Sequence, residues 1–251
     1  MNRTFRLTIK YDGTRYAGWQ VQPGQKTIQG ELEEALRVVL NTPCRVTAAG
    51  RTDAGVHALG QVAHCRTDSG IPAYNLRMAL NSILPKDISI EEVFDVHPDF
   101  HARKQALAKR YIYKIFRGLT RDPFQWPYTW FLPDKLDIKM IKVCLPMLQG
   151  EHDFSAFSVA KNDHMSSTRK LMKVELVEND NQMQFEFLGN SFLRKQIRRM
   201  VGTLIEVGRG RFTPDEFNRI LLSGDPTQAG PTAPPQGLFL VRVYYSMPFS
   251  L

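Results

Sequence analysis

The chain has 251 residues, 43% of them hydrophobic and 23% charged, with 33 Lys and Arg against 25 Asp and Glu for a formal net charge of +8. That length suits one large domain or two joined halves, and no apolar run approaches the roughly 18 residues that span a membrane. Three cysteines without paired spacing argue against a disulfide framework or a zinc site and for a reducing, cytoplasmic compartment.

Met1 to Phe5 leads straight into an alternating run, so nothing there reads as a signal or transit peptide. Residues 5–11 have the period of a half-buried strand, ended by a turn at Asp12-Gly13. Residues 27–40 predict a helix capped by Thr27, with Ile28, Leu32, Ala35, Leu36 and Val39 along one face. A strand into Ala48, the loop AAGRTDAGVHALGQ (48–61) and a strand over 61–66 follow. A helix over 71–84 and a strand over 88–96 complete a β-α-β-β-α-β order.

A second cycle opens at 106–116, where alternation places Leu107, Tyr111, Tyr113 and Ile115 on one face. After a Pro- and Trp-rich connector (122–133) come a helix over 137–148, strands over 168–178 and 183–188, helices over 191–207 and 214–222, and a strand over 237–245. No internal repeat or low-complexity segment interrupts this order. The fold class expected is α+β: two RRM- or ferredoxin-like halves, 1–105 and 106–251, joined through a central antiparallel sheet with a basic cleft between them.

The basic excess points to a polyanion, most simply nucleic acid. In the bare loop, glycines serve positive φ and close backbone approach. Neither use requires Arg51 and Asp53 between them, although an Asx turn alone accounts for an aspartate in such a loop. On the helix over 191–207, Leu193, Ile197, Met200, Val201, Leu204 and Ile205 share an inward arc. Arg194 and Arg198 border that arc, while Lys195 and Arg199 point further out. Four cations in six residues repel one another, a cost that a polyanion relieves and that a solvated face also tolerates. Arg198 stands where it can reach an inward carboxylate.

The six histidines (57, 64, 97, 101, 152, 164) show no metal-ligand spacing, so no metal is expected. There is no GxSxG, Walker loop or GxGxxG, and Gly208-Arg209-Gly210 reads as a helix stop. What remains is one carboxylate, a basic helix and a tyrosine on a sheet face. An ionised Asp53 among arginines can act as nucleophile or proton acceptor, and Tyr111 can stack on a base turned out of its helix.

These segments, in this order, resemble the tRNA pseudouridine synthase A family along essentially the whole chain. The resemblance is carried by YDGTRYAGWQ (11–20), TIQGELEEAL (27–36), AGRTDAGVHALGQVAH (49–64), FHARKQALAKRYIY (100–113), GEHDFSAF (150–157), FLRKQIRRMVGTLIEVG (192–208) and TAPPQGLFL (232–240). It implies the pseudouridine synthase fold, with Asp53 as the essential carboxylate. Arg51 matches the arginine that helps extrude the uridine, Tyr111 the tyrosine that packs on uracil, Arg198 the arginine that pairs with the aspartate, and Leu238 an apolar wall of the uracil pocket. Arg194, Lys195 and Arg199 become RNA contacts, more basic than the family's common pattern at 194–196 and 199.

The reaction implied breaks the C1′–N1 bond of a uridine, turns the uracil and rejoins it through C5. It needs no cofactor and acts on positions 38 to 40 of the tRNA anticodon stem-loop, usually in a homodimer away from membranes. Two other readings stay open. A non-catalytic RNA-binding or tRNA-folding module needs no Asp53. A glycoside or nucleoside hydrolase normally needs a second matched carboxylate.

Overall fold

The computed structural model describes residues 3–159, 166–179, 181–247 and 249; His164, read above as no metal ligand, lies outside them. Two compact units form, one from Met1–Leu107 with Phe239–Leu251 and the other from Ala108–Leu238.

In the first unit, alternation along RTFRLTIKY buries Phe5, Leu7, Ile9 and Tyr11 and makes β1 (Arg3–Tyr11). β1 lies between β3 (His57–Thr67) and β4 (Ile88–Val96), antiparallel to both. β2 (Val46–Ala48) pairs antiparallel with the far part of β3, Val46 opposite Cys65. The start of β3 is instead paired in parallel with β10 (Leu238–Tyr244), His57 opposite Phe239 and Ala58 opposite Leu240. These partners explain why β3 begins at His57 and not at Gln61, where the sequence predicts it.

Two helices supply the apolar cover of this unit. α1 (Ile28–Leu40) is capped by Thr27, whose Oγ1 accepts the Gly30 N–H at 3.3 Å, and buries Ile28, Leu32, Ala35 and Leu36. α2 (Ala73–Ile83) starts after Pro72 and buries Leu76 and Leu80. Each such fully buried leucine or isoleucine contributes about 1.5–3 kcal/mol.

In the second unit, β5 (Ala108–Phe116) buries Tyr111, Tyr113 and Ile115 and also Ile112, so both its faces are covered. Leu107, expected on the first face, lies before the strand and is exposed. β9 (Gln182–Gly189), β8 (Thr168–Asn179) and β7 (Gly150–Asp153) extend the sheet from β5 in that order, all antiparallel. β6 (Trp130–Phe131) pairs with β5 in parallel.

The helix expected over 137–148 is α3 (Ile138–Cys144) followed by a 3-10 turn, Leu145–Leu148, because Pro146 cannot donate to an α-helical ladder. α4 (Gln196–Gly208) is buried along nearly its whole length and packs against α3 and α5 (Pro214–Ser223). α5 opens with a capping box: Thr213 Oγ1 accepts the Glu216 N–H at 3.2 Å, and Glu216 Oε2 accepts the Thr213 N–H at 2.8 Å. Both units are thus α+β with mostly antiparallel strands, as the element order predicts. Among the described residues no helix is long and apolar enough to cross a membrane.

Candidate active site

The loop between β2 and β3 owes its bareness to backbone packed on backbone. Its entry is fixed where the Ala49 N–H donates to Val62 O at 2.7 Å. Its turn is closed where the Val56 N–H donates to Asp53 O at 3.2 Å, with Gly55 at φ 75°. Residues 12–19 lie directly against it: the Trp19 N–H donates to Thr52 O at 3.1 Å and the Gly55 N–H to Tyr16 O at 3.3 Å. A Cβ on Gly13 would stand 2.0 Å from Val56 O, and one on Gly18, at φ 94°, 2.6 Å from Thr52 O. Glycine at both positions is therefore a condition of the contact.

Side chains lock the same loop from within. The Tyr11 hydroxyl and Thr52 Oγ1 share a 2.8 Å hydrogen bond, and Gln61 Nε2 donates to Gly50 O at 2.8 Å. Both Tyr11 and Gln61 are buried, and burial pushes the Tyr11 phenol up to about 12, so it stays protonated. Thr52 is thus an inward anchor, while Arg51 is exposed and Asp53 half-buried. His57, at the loop's exit, accepts the Gly13 N–H on Nδ1 at 3.1 Å and stacks on Phe239 with ring centroids 4.7 Å apart. Its role in this geometry is support.

In the second unit a strap, 226–234, crosses α4 and ties three of the expected residues to one framework. Arg198 Nε donates to Ala233 O at 2.8 Å, and the Ala233 N–H returns to Arg198 O at 3.0 Å. The Tyr113 hydroxyl donates to the next carbonyl, Pro234 O, at 2.7 Å. Burial raises the Tyr113 phenol well above its ordinary range, against a smaller lowering by the charge of Arg198. The chain then makes a 3-10 turn, Pro235–Gly237, which seats Gly237 against the Tyr113 ring and places Leu238, buried, at the head of β10. Tyr111, two residues before Tyr113 on β5, is buried with its ring edge-on to Phe192 at 5.0 Å.

The strap is close to α4 because of two glycines. A Cβ on Gly202 would stand 1.7 Å from Pro231 O, and one on Gly230 3.0 Å from the Thr203 Cα. The Gly230 N–H donates to Thr203 Oγ1 at 3.0 Å.

The basic residues are placed differently from the helical expectation. α4 begins at Gln196; Lys195 precedes it in the left-handed region at φ 62°, and Arg194 is exposed outside the helix. Two contacts hold residues 191–195 out of the helix. Gln196 Oε1 accepts the Leu193 N–H at 2.8 Å, and Phe192 is engaged with Tyr111. Arg199, expected to point outward, is half-buried and donates to Pro226 O through Nη2.

Arg51 and Asp53 belong to the first unit, and Tyr111, Arg198 and Leu238 to the second. The sequence reading missed the supports, namely Tyr11, Gln61 and His57 around the loop and Tyr113, Gly202 and Thr203 around the strap. Glycines at 13 and 18 beside aromatic residues were the available signal for the first group. The second group carried none that reads locally.

The family model described as tRNA pseudouridine synthase matches residues 7–103 and 145–246. A protein of Geobacillus sp. (strain WCH70) is 42% identical over 246 residues, covering 98% of this chain and 99% of its own. One of Exiguobacterium sibiricum is 44% identical over 243 residues, 97% of each chain. One of Latilactobacillus sakei is 41% identical over 248 residues, 98% of this chain and 100% of its own. All three are named tRNA pseudouridine synthase A. With the family match spanning the Asp53 loop, α4 and β10, and these relatives aligned almost end to end, the chain belongs to the tRNA pseudouridine synthase family.

Proposed function

We propose that this protein isomerises uridine to pseudouridine in tRNA, with Asp53 as the carboxylate that attacks the target nucleoside. The observation that carries the reading is the Asp53 loop itself. Its backbone is fixed from one side by Gly13 and Gly18 and from within by Tyr11 and Gln61, in a chain that belongs to this family. A rigid loop that holds a carboxylate in place lowers the entropic part of the barrier when a nucleotide is brought against it.

In this reading the C1′–N1 bond breaks and C1′ joins C5. The C5 proton leaves and N1 takes one up, so atoms balance and no electrons are exchanged with any other group. Arg51, exposed beside the carboxylate, helps to turn the uridine out and holds the RNA. Tyr111 packs on the uracil and Leu238 forms an apolar wall. Arg198 has the role of the cationic partner of the catalytic aspartate. Arg194, Lys195 and Arg199 add cationic contacts for the RNA backbone. The substrate positions are uridines 38 to 40 of the anticodon stem-loop, and the working form is a homodimer in the cytoplasm.

The test is tritium release from tRNA labelled at uridine C5. The wild-type protein releases tritium, and Asp53→Asn, at unchanged melting temperature and tRNA affinity, loses at least about a thousandfold in rate. Turnover by Asp53→Asn would overturn the assignment. Free uracil among the products would instead point to hydrolysis, and preserved binding without any turnover to the RNA-binding module.

A further inference from the structure

Between β5 and β6 the chain makes an excursion, 117–129, that starts and ends at the same place. Ile115 pairs with Trp130 and Phe116 with Phe131, and the Leu132 N–H donates to Phe116 O at 2.8 Å. A compact loop with joined ends is a common carrier of function. This one lies outside the residues 7–103 and 145–246 that the family model matches.

The excursion is built around Asp122. Its Oδ1 accepts the Phe124 N–H at 2.8 Å and its Oδ2 accepts Gln125 Nε2 at 2.9 Å. Its carbonyl accepts the Trp126 N–H at 2.8 Å. These donors hold the Asp122 carboxyl below the usual carboxylate range. Gln182 Nε2 on β9 donates to Gln125 Oε1 at 2.7 Å, tying the turn to the sheet. Pro123 and Pro127 restrict the backbone further.

What this ordered turn displays is apolar. Phe124 is 88% exposed and Leu119 fully exposed, while the Arg121 guanidinium lies over the Trp126 ring at 4.1 Å. Large apolar side chains held in the open by a rigid turn mark a docking surface. Its charge selects the partner. Arg121 is exposed, Arg117 is half-buried with its Nη1 directed at Met183 Sδ, and the loop's one carboxylate, Asp122, is already occupied by the turn's own N–H groups. Arginine interleaved with exposed aromatic rings suits unpaired bases, whose π-faces stack on the rings while the guanidinium reaches phosphate. A second copy is disfavoured, because a twofold contact centred on the loop would set Arg121 against its own duplicate with no uncommitted loop carboxylate to meet it.

We propose that residues 117–129 form a second RNA contact, in which Phe124 and the Arg121–Trp126 pair stack on an unpaired base of the substrate tRNA other than the reacting uridine. The inference rests on the reading of tRNA as substrate, and it assigns part of the affinity to this loop.

Titrations of unmodified tRNA, read by fluorescence anisotropy, test it with Phe124→Leu, Phe124→Trp and Arg121→Gln, each checked by thermal melting and by sedimentation. Phe124→Leu keeps apolar bulk but not a stacking face. It should weaken tRNA binding roughly tenfold and raise KM to match, with kcat within about twofold. Phe124→Trp should bind like the wild type. Arg121→Gln should reduce the slope of log affinity against log salt by about one.

Unchanged affinity in Phe124→Leu overturns the proposal. So does a change of assembly state that tracks the loss of binding, which assigns the loop to a second copy. Because affinity is read without turnover, the two readings separate. Binding that depends on Phe124 in a protein without turnover strikes the catalytic reading alone. Turnover with equal affinity in all variants strikes the loop alone.

Discussion

Burying the Tyr11 hydroxyl costs free energy that its hydrogen bond with Thr52 Oγ1 recovers, so the pair gains less in net stability than in definition of the loop beside Asp53. A second buried polar side chain, His64, leaves a mark in solution. It sits in the middle of β3, opposite Arg6 on one side and Thr47 on the other, and its Nδ1 accepts the Ala102 N–H at 3.2 Å. Burial first, then the charges of His101 and Arg66, bring its pKa down from 6.5 to about 4. The unfolded chain therefore takes up this proton as pH falls below about 6.5, whereas the folded chain does so only near 4. Stability contributed above pH 6.5 is lost across that window, about 1–2 kcal/mol of it by pH 5. Urea unfolding at pH 7.5, 6 and 5 should show the fall, and His64→Gln should flatten it; an equal slope in the variant would remove His64 as the cause. At this scale the sequence was partly legible. Although an Asx turn by itself accommodates the aspartate, Arg51 and Asp53 stand out as charged residues among small ones. Thr52 does not, because its partner lies 41 residues away and hydrogen bonds of that reach leave no local pattern.

The helix α4 shows propensity and packing in opposition. Glycine in a helix interior costs about 1 kcal/mol relative to alanine, so Gly202→Ala should stabilise if propensity decides. A Cβ there stands 1.7 Å from Pro231 O, however, and the atom it meets is backbone of the strap. Overpacking of this kind costs about 1–3 kcal/mol, and the strap carries the carbonyls that hold Arg198 and Tyr113. Gly202→Ala should therefore destabilise and lower turnover together, by chemical denaturation and tritium release. A more stable, fully active variant would show that the strap yields at no cost. The apolar arc of α4 was readable from its period, but its start was not. Periodicity continues through Leu193, while the departure from the helix is set by Gln196 Oε1 on the Leu193 N–H and by Phe192 on Tyr111. β7 escaped for a simpler reason. Four residues with the burial pattern of an edge, Gly150–Asp153, are too few to show a period.

Over the whole chain, the element order was legible and the partner of the last strand was not. The sequence predicts a strand over 237–245 but says nothing of β3, with which β10 pairs in parallel through Phe239 and Leu240. Phe239 is buried and stacked on His57. Its truncation, Phe239→Ala, should cost the first unit about 3–5 kcal/mol. Hydrogen exchange should show the loss as faster exchange in β1 and β3. Unchanged protection in β3 would mean that β10 contributes little to that unit.

The membership of Phe239 in the first unit also fixes an order of events during synthesis. When the ribosome has made residues up to Leu107, β3 has β1 and β2 beside it, but His57 and Ala58 have no strand on their other edge. They wait while all of 108–238 is made, roughly 7–26 s at ~5–20 residues per second. The exit of the Asp53 loop is therefore among the last parts of the molecule to be closed, and a nascent chain released short of Phe239 leaves that loop's exit without its parallel strand. Emergence of Phe239 and Leu240 is the event that closes this edge of β3.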